Sequence, residues 1–274
     1  MSAYNENIFI NMHATIHVND DGSMLKNSHG QLVAPETSIF PLVSYNIGEQ
    51  RWICLGTGFF VDGRGGFVTA RHVFYDNGLD GKHVDTLYAV QSLPNGDRIL
   101  RSITHFSVHR TADIAFGYLG YARNHLVWSY MTPLASAFCI SKNALTVGDS
   151  IVNFGFPRTT DEDINNDRQV FTFKGRWESG KVVDFHPEGM GHFHKKEGVY
   201  QTTMRIDSGA SGGPVMRENI VVGVNSVGID VANDEEPISG VVPISYLHDI
   251  ELKGPGGRKM YVGDLVKNGT IPSL

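Results

Sequence analysis

The 274-residue chain predicts an all-β fold, a sandwich or barrel assembled from many short strands. Three observations carry that expectation. Short or alternating apolar segments bounded by turn residues recur along the chain, 31 glycines punctuate them, and no long stretch keeps a helical period.

Residues 1–35 read as an extension with hairpin character, turning at NDDGS (19–23) and again at NSHG (27–30). A first half, 36–124, follows with apolar segments at 38–45, 51–61, 86–93, 98–108 and 113–119. Tight turns are expected in VDGRGGFV (61–68) and at PNGD (94–97), where Asn-Gly is a strong hairpin signal. The polar stretch GYARNHLVWSYM (120–131) reads as a linker into a second half, 125–250. That half carries segments at 134–140, 149–155, 199–206 and 220–229, then a short helix near Ser245 to Ile250. Residues 251–274, with KGPGG, form a tail. The chain has no internal repeat and no low-complexity tract.

Composition narrows the function classes. Hydrophobic residues are 41% and charged residues 19%, as in an ordinary soluble globular protein. A formal charge of −6 argues against nucleic acid as a partner, because phosphate binding needs clustered Lys and Arg, and Lys195-Lys196 is too small a cluster. Two cysteines, Cys54 and Cys139, make neither a disulfide framework nor a metal site and read as small apolar strand residues. No window reaches the roughly 18 apolar residues of a membrane span. The N-terminus lacks a signal-peptide pattern, and the initiator Met1 weighs against a mature form cut from a secreted precursor, so the chain reads as cytoplasmic and independent of membranes.

The chemistry centres on SGASGGPVM (208–216), where Ser211 sits on a glycine-rich turn between apolar runs. A serine hydroxyl is a weak nucleophile; acyl transfer needs an imidazole to take its proton and a buried carboxylate to fix that imidazole's tautomer. GGFVTARHVF (65–74) is an apolar strand ending in a small-residue turn that carries His72, and TADIAFGYL (111–119) opens a strand with Asp113. The order His, Asp, Ser suits two halves that share one site, with the first two groups from one half and the serine from the other.

These stretches resemble the trypsin-like (chymotrypsin-fold) serine peptidases, with the HtrA-type bacterial branch the nearest likeness. The resemblance runs from about residue 36 to 250 through GTGFFVD (56–62), FVTARHV, DIAF, VGDSIVNFGFP (147–157), SGKVVDF (179–185), RIDSGASGGPV (205–215), VVGVNSVGI (221–229) and GVVPISYL (240–247). It implies two packed six-stranded β-barrels with the active site in the cleft between them, and a protease unit without the PDZ domain of HtrA proteins. It implies His72 as general base, Asp113 as its orienter and Ser211 as nucleophile, with the N–H groups of Gly209 and Ser211 as oxyanion hole. Ser226 matches the position whose hydroxyl contacts the aspartate, and residues 226–228 match the strand that pairs with a substrate backbone.

Two departures from activatable trypsin-like enzymes stand out. Ala210 replaces the aspartate that pairs with a new N-terminus after zymogen cleavage, and Val73 replaces the cysteine beside the base. Activation by N-terminal trimming is therefore not expected; a switch would act by ordering residues 205–209. The specificity pocket implied by the resemblance is walled by 205–209, 225–228 and the strand from Gly240, with Arg205, Asn225, Ser226, Val227 and Gly228 as substrate-binding residues. No acidic residue falls at its floor, so a small or medium aliphatic side chain is expected there. An Arg205 turned inward would instead select an acidic one.

His105 and His109 read as structural members of a strand and turn. HFH (192–194) with His186 reads as a solvated loop rather than a metal site, and NGT (268–270) as a chance match to a glycosylation acceptor. The expectation is thus a serine endopeptidase acting on protein or peptide through an acyl-enzyme, without cofactor or metal. The alternative is a non-catalytic peptide-binding module on the same scaffold, and an esterase-like hydrolase is a weaker third reading.

Overall fold

A computed structural model describes residues 8–14, 25–46, 51–75, 87–93, 98–120, 135–157, 160–164, 168–190, 197–229 and 237–274. The first half forms six strands: β1 (Ile39–Asn46), β2 (Arg51–Phe60), β3 (Gly66–Thr69), β4 (Leu87–Ser92), β5 (Arg98–Val108) and β6 (Ala115–Leu119). They close into a barrel in the order β1-β2-β3-β6-β5-β4, every pairing antiparallel. The VDGRGGFV turn forms as expected: Gly65 N–H bonds to Asp62 O at 3.1 Å and Arg64 N–H to Asp62 Oδ1 at 3.0 Å. PNGD itself lies outside the described residues, as do the NDDGS turn and nearly all of the expected linker.

The second half supplies β7 (Ser150–Gly155), β8 (Arg168–His186), β9 (Val199–Thr202), β10 (Pro214–Arg217), β11 (Ile220–Ile229) and β12 (Ile238–Pro243). These pair in the order β8-β7-β10-β11-β12-β9, and the β8–β9 pairing closes the ring. The protein is therefore two closed six-stranded barrels.

Two strands lie outside the rings and dock on the first part of β8. Thr160–Ile164 pairs with it antiparallel, and Ile8–Ala14 from the extension pairs in parallel, Ile8 opposite Gln169 through Ala14 opposite Gly175. The NSHG turn also forms, with Asn27 N–H bonded to Gln31 O at 2.9 Å and Leu25–Lys26 paired with Leu32–Val33.

The C-terminal tail is packed. Glu251–Lys253 and Lys259–Tyr261 make a ribbon, a short helix α1 (Val262–Lys267) follows, and Val262 and Ile271 are fully buried. Leu274 N–H bonds to Ile140 O at 3.0 Å and Lys142 N–H to Leu274 O at 2.7 Å. Asn268, the acceptor of the NGT triplet, caps the C-terminus of α1, and its Oδ1 accepts from Thr270 N–H at 3.0 Å. Of the apolar segment 134–140, the described residues 135–140 are a largely buried connector rather than a strand: Phe138 N–H reaches Phe60 O, while Val221 N–H reaches Cys139 O. The short helix expected near Ser245 is a 3-10 helix, Ile244–Asp249. Among the described residues no helix is long and apolar enough to cross a membrane.

The first barrel is packed with phenylalanine. Phe40, Phe59, Phe60, Phe67 and Phe116 are fully buried, and Phe40 meets Phe60 and Phe67 at ring-centroid distances of 4.7 and 5.6 Å. A cation accompanies them. Arg101 on β5 is fully buried, and among the described residues no carboxylate pairs with it. Its guanidinium donates to Gly120 O at 2.9 Å, Gln91 Oε1 at 2.9 Å and Leu119 O at 3.3 Å, and burial pushes it down to about 10. Those acceptors have no water to turn to. We expect Arg101→Met to destabilise the fold by about 2–4 kcal/mol, because three buried acceptors lose their donor. The measurement is a urea midpoint at unchanged m-value. A midpoint equal to or above wild type would mean that the desolvated cation outweighs its hydrogen bonds.

Candidate active site

His72 lies in a single 3-10 turn, Arg71–Phe74, that leaves the end of β3 through the extended residue Ala70. Asp113 ends the loop between β5 and β6. The loop brings its carboxylate to the histidine twice. Asp113 Oδ1 accepts from His72 N–H at 2.8 Å, and Oδ2 lies 2.8 Å from His72 Nδ1. The second contact makes Nδ1 the protonated nitrogen and leaves Nε2 as the basic one. Ser226 Oγ also donates to Asp113 Oδ2. The carboxylate is thus held by three donors from two barrels.

Electrostatics follow from that arrangement. Burial works to raise the Asp113 carboxyl, but the charge of His72 and hydrogen bonds from His72 and Ser226 hold it at about 2. Burial works to lower His72, but the charge and hydrogen bond of Asp113 outweigh it and raise the imidazole above its ordinary value.

Ser211 is presented by the turn between Ile206 and Pro214. Ala210 N–H bonds to Asp207 O at 3.1 Å, Gly213 N–H to Ala210 O at 3.0 Å, and Gly212 N–H to Asn225 O at 2.8 Å. Gly209 has φ +93°, and a Cβ there would stand 2.6 Å from Phe156 O, so only glycine fits. The N–H groups of Gly209 and Ser211 donate to nothing among the described residues. The Ser211 hydroxyl donates to Ser226 O at 3.1 Å, and among the described residues no hydrogen bond joins it to His72. Ser226 therefore links the two sides, its hydroxyl to Asp113 and its carbonyl to Ser211.

The turn is anchored to the first barrel through Thr57 on β2. Thr57 N–H bonds to Ser211 O at 2.8 Å, and Thr57 Oγ1 donates to Gly209 O at 2.7 Å while accepting from Phe156 N–H at 3.2 Å. The GTG motif signals a close approach at this point, but nothing in the sequence names the partners of its threonine.

The residues expected to wall a specificity pocket are brought together and touch. A Cβ on Gly228 would stand 1.9 Å from Ile206 O, so the strand 226–228 rests on the segment before the serine turn. Arg205 points outward, its side chain 64% exposed and its Nε 2.9 Å from Asp207 Oδ1. A second arginine, Arg176 on β8, is the more buried of the two and bonds to Asp207 at 3.0 Å and to Glu178. Asn225 is fully buried, and neither Nδ2 nor Oδ1 of its amide has a partner among the described residues. Val227 is half-buried and Gly228 exposed. Ala210 is buried in an apolar cluster with Ile206, Val215 and Val222, where an ionised aspartate would be desolvated. Among the described residues no group of side chains could hold a metal ion. HFH (192–194) lies outside the described residues, and His186 Nε2 bonds to Gln201 Oε1 at 2.9 Å.

Known proteins share the fold. Among solved structures the chain is similar to the HtrA-type protease AlgW, as a serine-to-alanine variant with a tripeptide (TM-score 0.52, 15% identity, 77% of this chain and 57% of that chain). The chain thus spans little more than half of that relative's length, and the likeness is one of fold. Deg5 (TM-score 0.49, 19% identity, 77% of this chain and 85% of that chain) also matches. So does the inactive form of a serine-to-alanine mutant from M. tuberculosis H37Rv (TM-score 0.48, 15% identity, 77% and 83%). No curated protein sequence matches. The family described as a trypsin-like peptidase domain matches residues 56–224, well over half of the sequence, and the chain belongs to that family.

Proposed function

We propose that this protein is a serine endopeptidase that hydrolyses peptide bonds through an acyl-enzyme on Ser211. One observation carries the reading: His72, Asp113, Ser226 and Ser211 form one hydrogen-bonded chain beside two N–H groups with no partner among the described residues. A fold that needed Ser211 only as a turn residue would have no use for a buried carboxylate three donors deep behind a histidine.

For reaction, rotation of the Ser211 side chain away from Ser226 O must let its hydroxyl donate to His72 Nε2. Oγ attacks the scissile carbonyl carbon and its proton passes to Nε2. The imidazolium keeps its Nδ1–H on Asp113, which stays ionised. The new oxyanion takes hydrogen bonds from Gly209 and Ser211 N–H, donors that contribute about 3–4 kcal/mol each in such sites. His72 then gives its proton to the leaving amine, and water repeats the sequence on the acyl-enzyme. The same rotation frees Ser226 O to accept an N–H from a substrate strand laid along 226–228, a β-addition. Entry of a side chain requires Ile206 and Gly228 to part.

That contact favours a second reading, a peptide-binding module whose cleft opens without turnover. A fluorophosphonate probe separates the two, since only an activated serine reacts. We expect wild type to be labelled on Ser211 and Ser211→Ala to lose both labelling and cleavage while unfolding like wild type. Cleavage retained by Ser211→Ala would end the assignment.

The base must be neutral to accept the serine proton, and its raised pKa keeps it protonated to higher pH than a free imidazole. Activity is therefore expected to climb with a midpoint above the ordinary value of about 6.5 and to level off beyond it. A kcat/KM profile that is flat from about pH 5 to 8 speaks against a histidine base.

A further inference from the structure

The loop that carries Asp113 is built around a second histidine. His109 follows β5, and its N–H bonds to Ile114 O at 2.9 Å, closing residues 109–114 into a compact turn. Inside the turn its imidazole is 7% exposed, and Nδ1 faces two backbone donors, Thr111 N–H at 3.2 Å and Ala112 N–H at 2.8 Å. A backbone N–H can only donate, so the ring atom they share is an unprotonated nitrogen and the proton sits on Nε2. This is the hydrogen-bonding task that an Asp or Asn oxygen performs in an Asx turn, accepting from the N–H groups two and three residues ahead. The next residue after those two donors is Asp113.

We propose that His109 is a positioning residue for the catalytic machinery: its Nδ1 gathers the Thr111 and Ala112 N–H groups and so fixes the turn that aims the Asp113 carboxylate at His72. The inference rests on the peptidase reading of the site. Without that acceptor two donors point into the turn unpaired, one of them on a residue only 2% exposed, and the turn relaxes to hydrate them. The carboxylate it carries must meet His72 N–H, His72 Nδ1 and Ser226 Oγ at once, so small rotations of the loop break one contact or another.

The surroundings keep the ring in place and neutral. It lies against Tyr246, with ring centroids 5.4 Å apart, and Tyr246 is itself fixed by a hydrogen bond from Gly198 N–H to its hydroxyl at 2.9 Å. Burial, assisted by Arg71 and Arg110, lowers the His109 pKa against the opposing pull of Glu197 and Asp249. The shift is opposite in direction to that of His72. Arg71 Nη1 donates to Arg110 O at 3.0 Å and Thr111 Oγ1 donates to Glu197, tying the turn to the His72 segment on one side and to the second barrel on the other.

Two substitutions separate positioning from packing because they keep opposite halves of the side chain. His109→Phe keeps the ring against Tyr246 and removes the acceptor; His109→Asn removes the ring and keeps an acceptor atom near the position of Nδ1. Each full-length variant is assayed for kcat and KM on a peptide substrate, and the His72 imidazole is titrated by NMR. His109→Phe is expected to lower kcat about 10- to 100-fold, the scale of a misplacement of about an ångström, with KM within about twofold. Its His72 titration should fall toward the ordinary imidazole value of about 6.5 as the carboxylate moves away. His109→Asn should restore kcat to within about threefold of wild type, with the raised titration regained. A His109→Phe variant as active as wild type, or a His109→Asn variant worse than His109→Phe, overturns the proposal in favour of packing. So does a His72 titration that is the same in all three proteins. If no protein cleaves peptides but the titration drops in His109→Phe and returns in His109→Asn, positioning stands and the peptidase reading falls.

Discussion

The hydroxyl of Thr57 is where the two barrels become one protein. It is fully buried on β2, and all of its polar groups are engaged: N–H with Ser211 O, Oγ1 with Gly209 O and Phe156 N–H, and its own carbonyl with Thr69 Oγ1 at 2.7 Å. Each such bond contributes only about 1 kcal/mol net, but breaking one in a site closed to water leaves a group that cannot be satisfied elsewhere. The serine turn of the second barrel is thereby registered against the wall of the first. The placing of Gly209 and Ser211 N–H, and the distance from Ser211 to the Asp113–His72 pair, are consequences of that register.

Ser226 is the counterpart of Thr57 on the open side of the cleft. Its side chain serves the carboxylate and its carbonyl holds the serine hydroxyl, so one residue connects the electrostatics of the pair to the strand that borders the groove. The carboxylate is buried yet ionised because its donors come from both barrels. The amide of Asn225, immediately before Ser226, has no partner among the described residues, so the strand carries a buried polar group that its hydrogen bonds leave unsatisfied.

Much of this was legible in the sequence. Short apolar runs bounded by turn residues locate the strands of the first barrel to within a residue or two, because most of their residues are buried: β3 throughout and β6 at all but Tyr118. His72, Asp113, Ser211 and Gly209 stood out because their motifs are local. The segment 134–140 misled because Phe138 and Ile140 are apolar for burial's sake, while their backbone groups bond to several elements instead of one ladder. The 19-residue length of β8 is not legible in the sequence, since it runs past its barrel to pair with Thr160–Ile164 and Ile8–Ala14. Nothing in the sequence marks Arg101 as buried; its burial follows from the carbonyls of Leu119 and Gly120 that surround its guanidinium. The tasks of Thr57 and His109 depend on partners whose identity is geometric; a histidine two residues before Thr111 carries no mark of the acceptor role that an aspartate or asparagine would have carried.

The bond from Thr57 to Gly209 spans 152 residues of chain, and that separation has a bearing on synthesis. A nascent chain that has just folded its first barrel already holds Thr57, His72 and Asp113, but the turn that carries Ser211 and the strand that carries Ser226 are still to come. The cleft is assembled only after the strands of the second barrel have been made. On the peptidase reading, competence would arrive late, when the second barrel docks, and the growing polypeptide would be shielded from it by chain order alone.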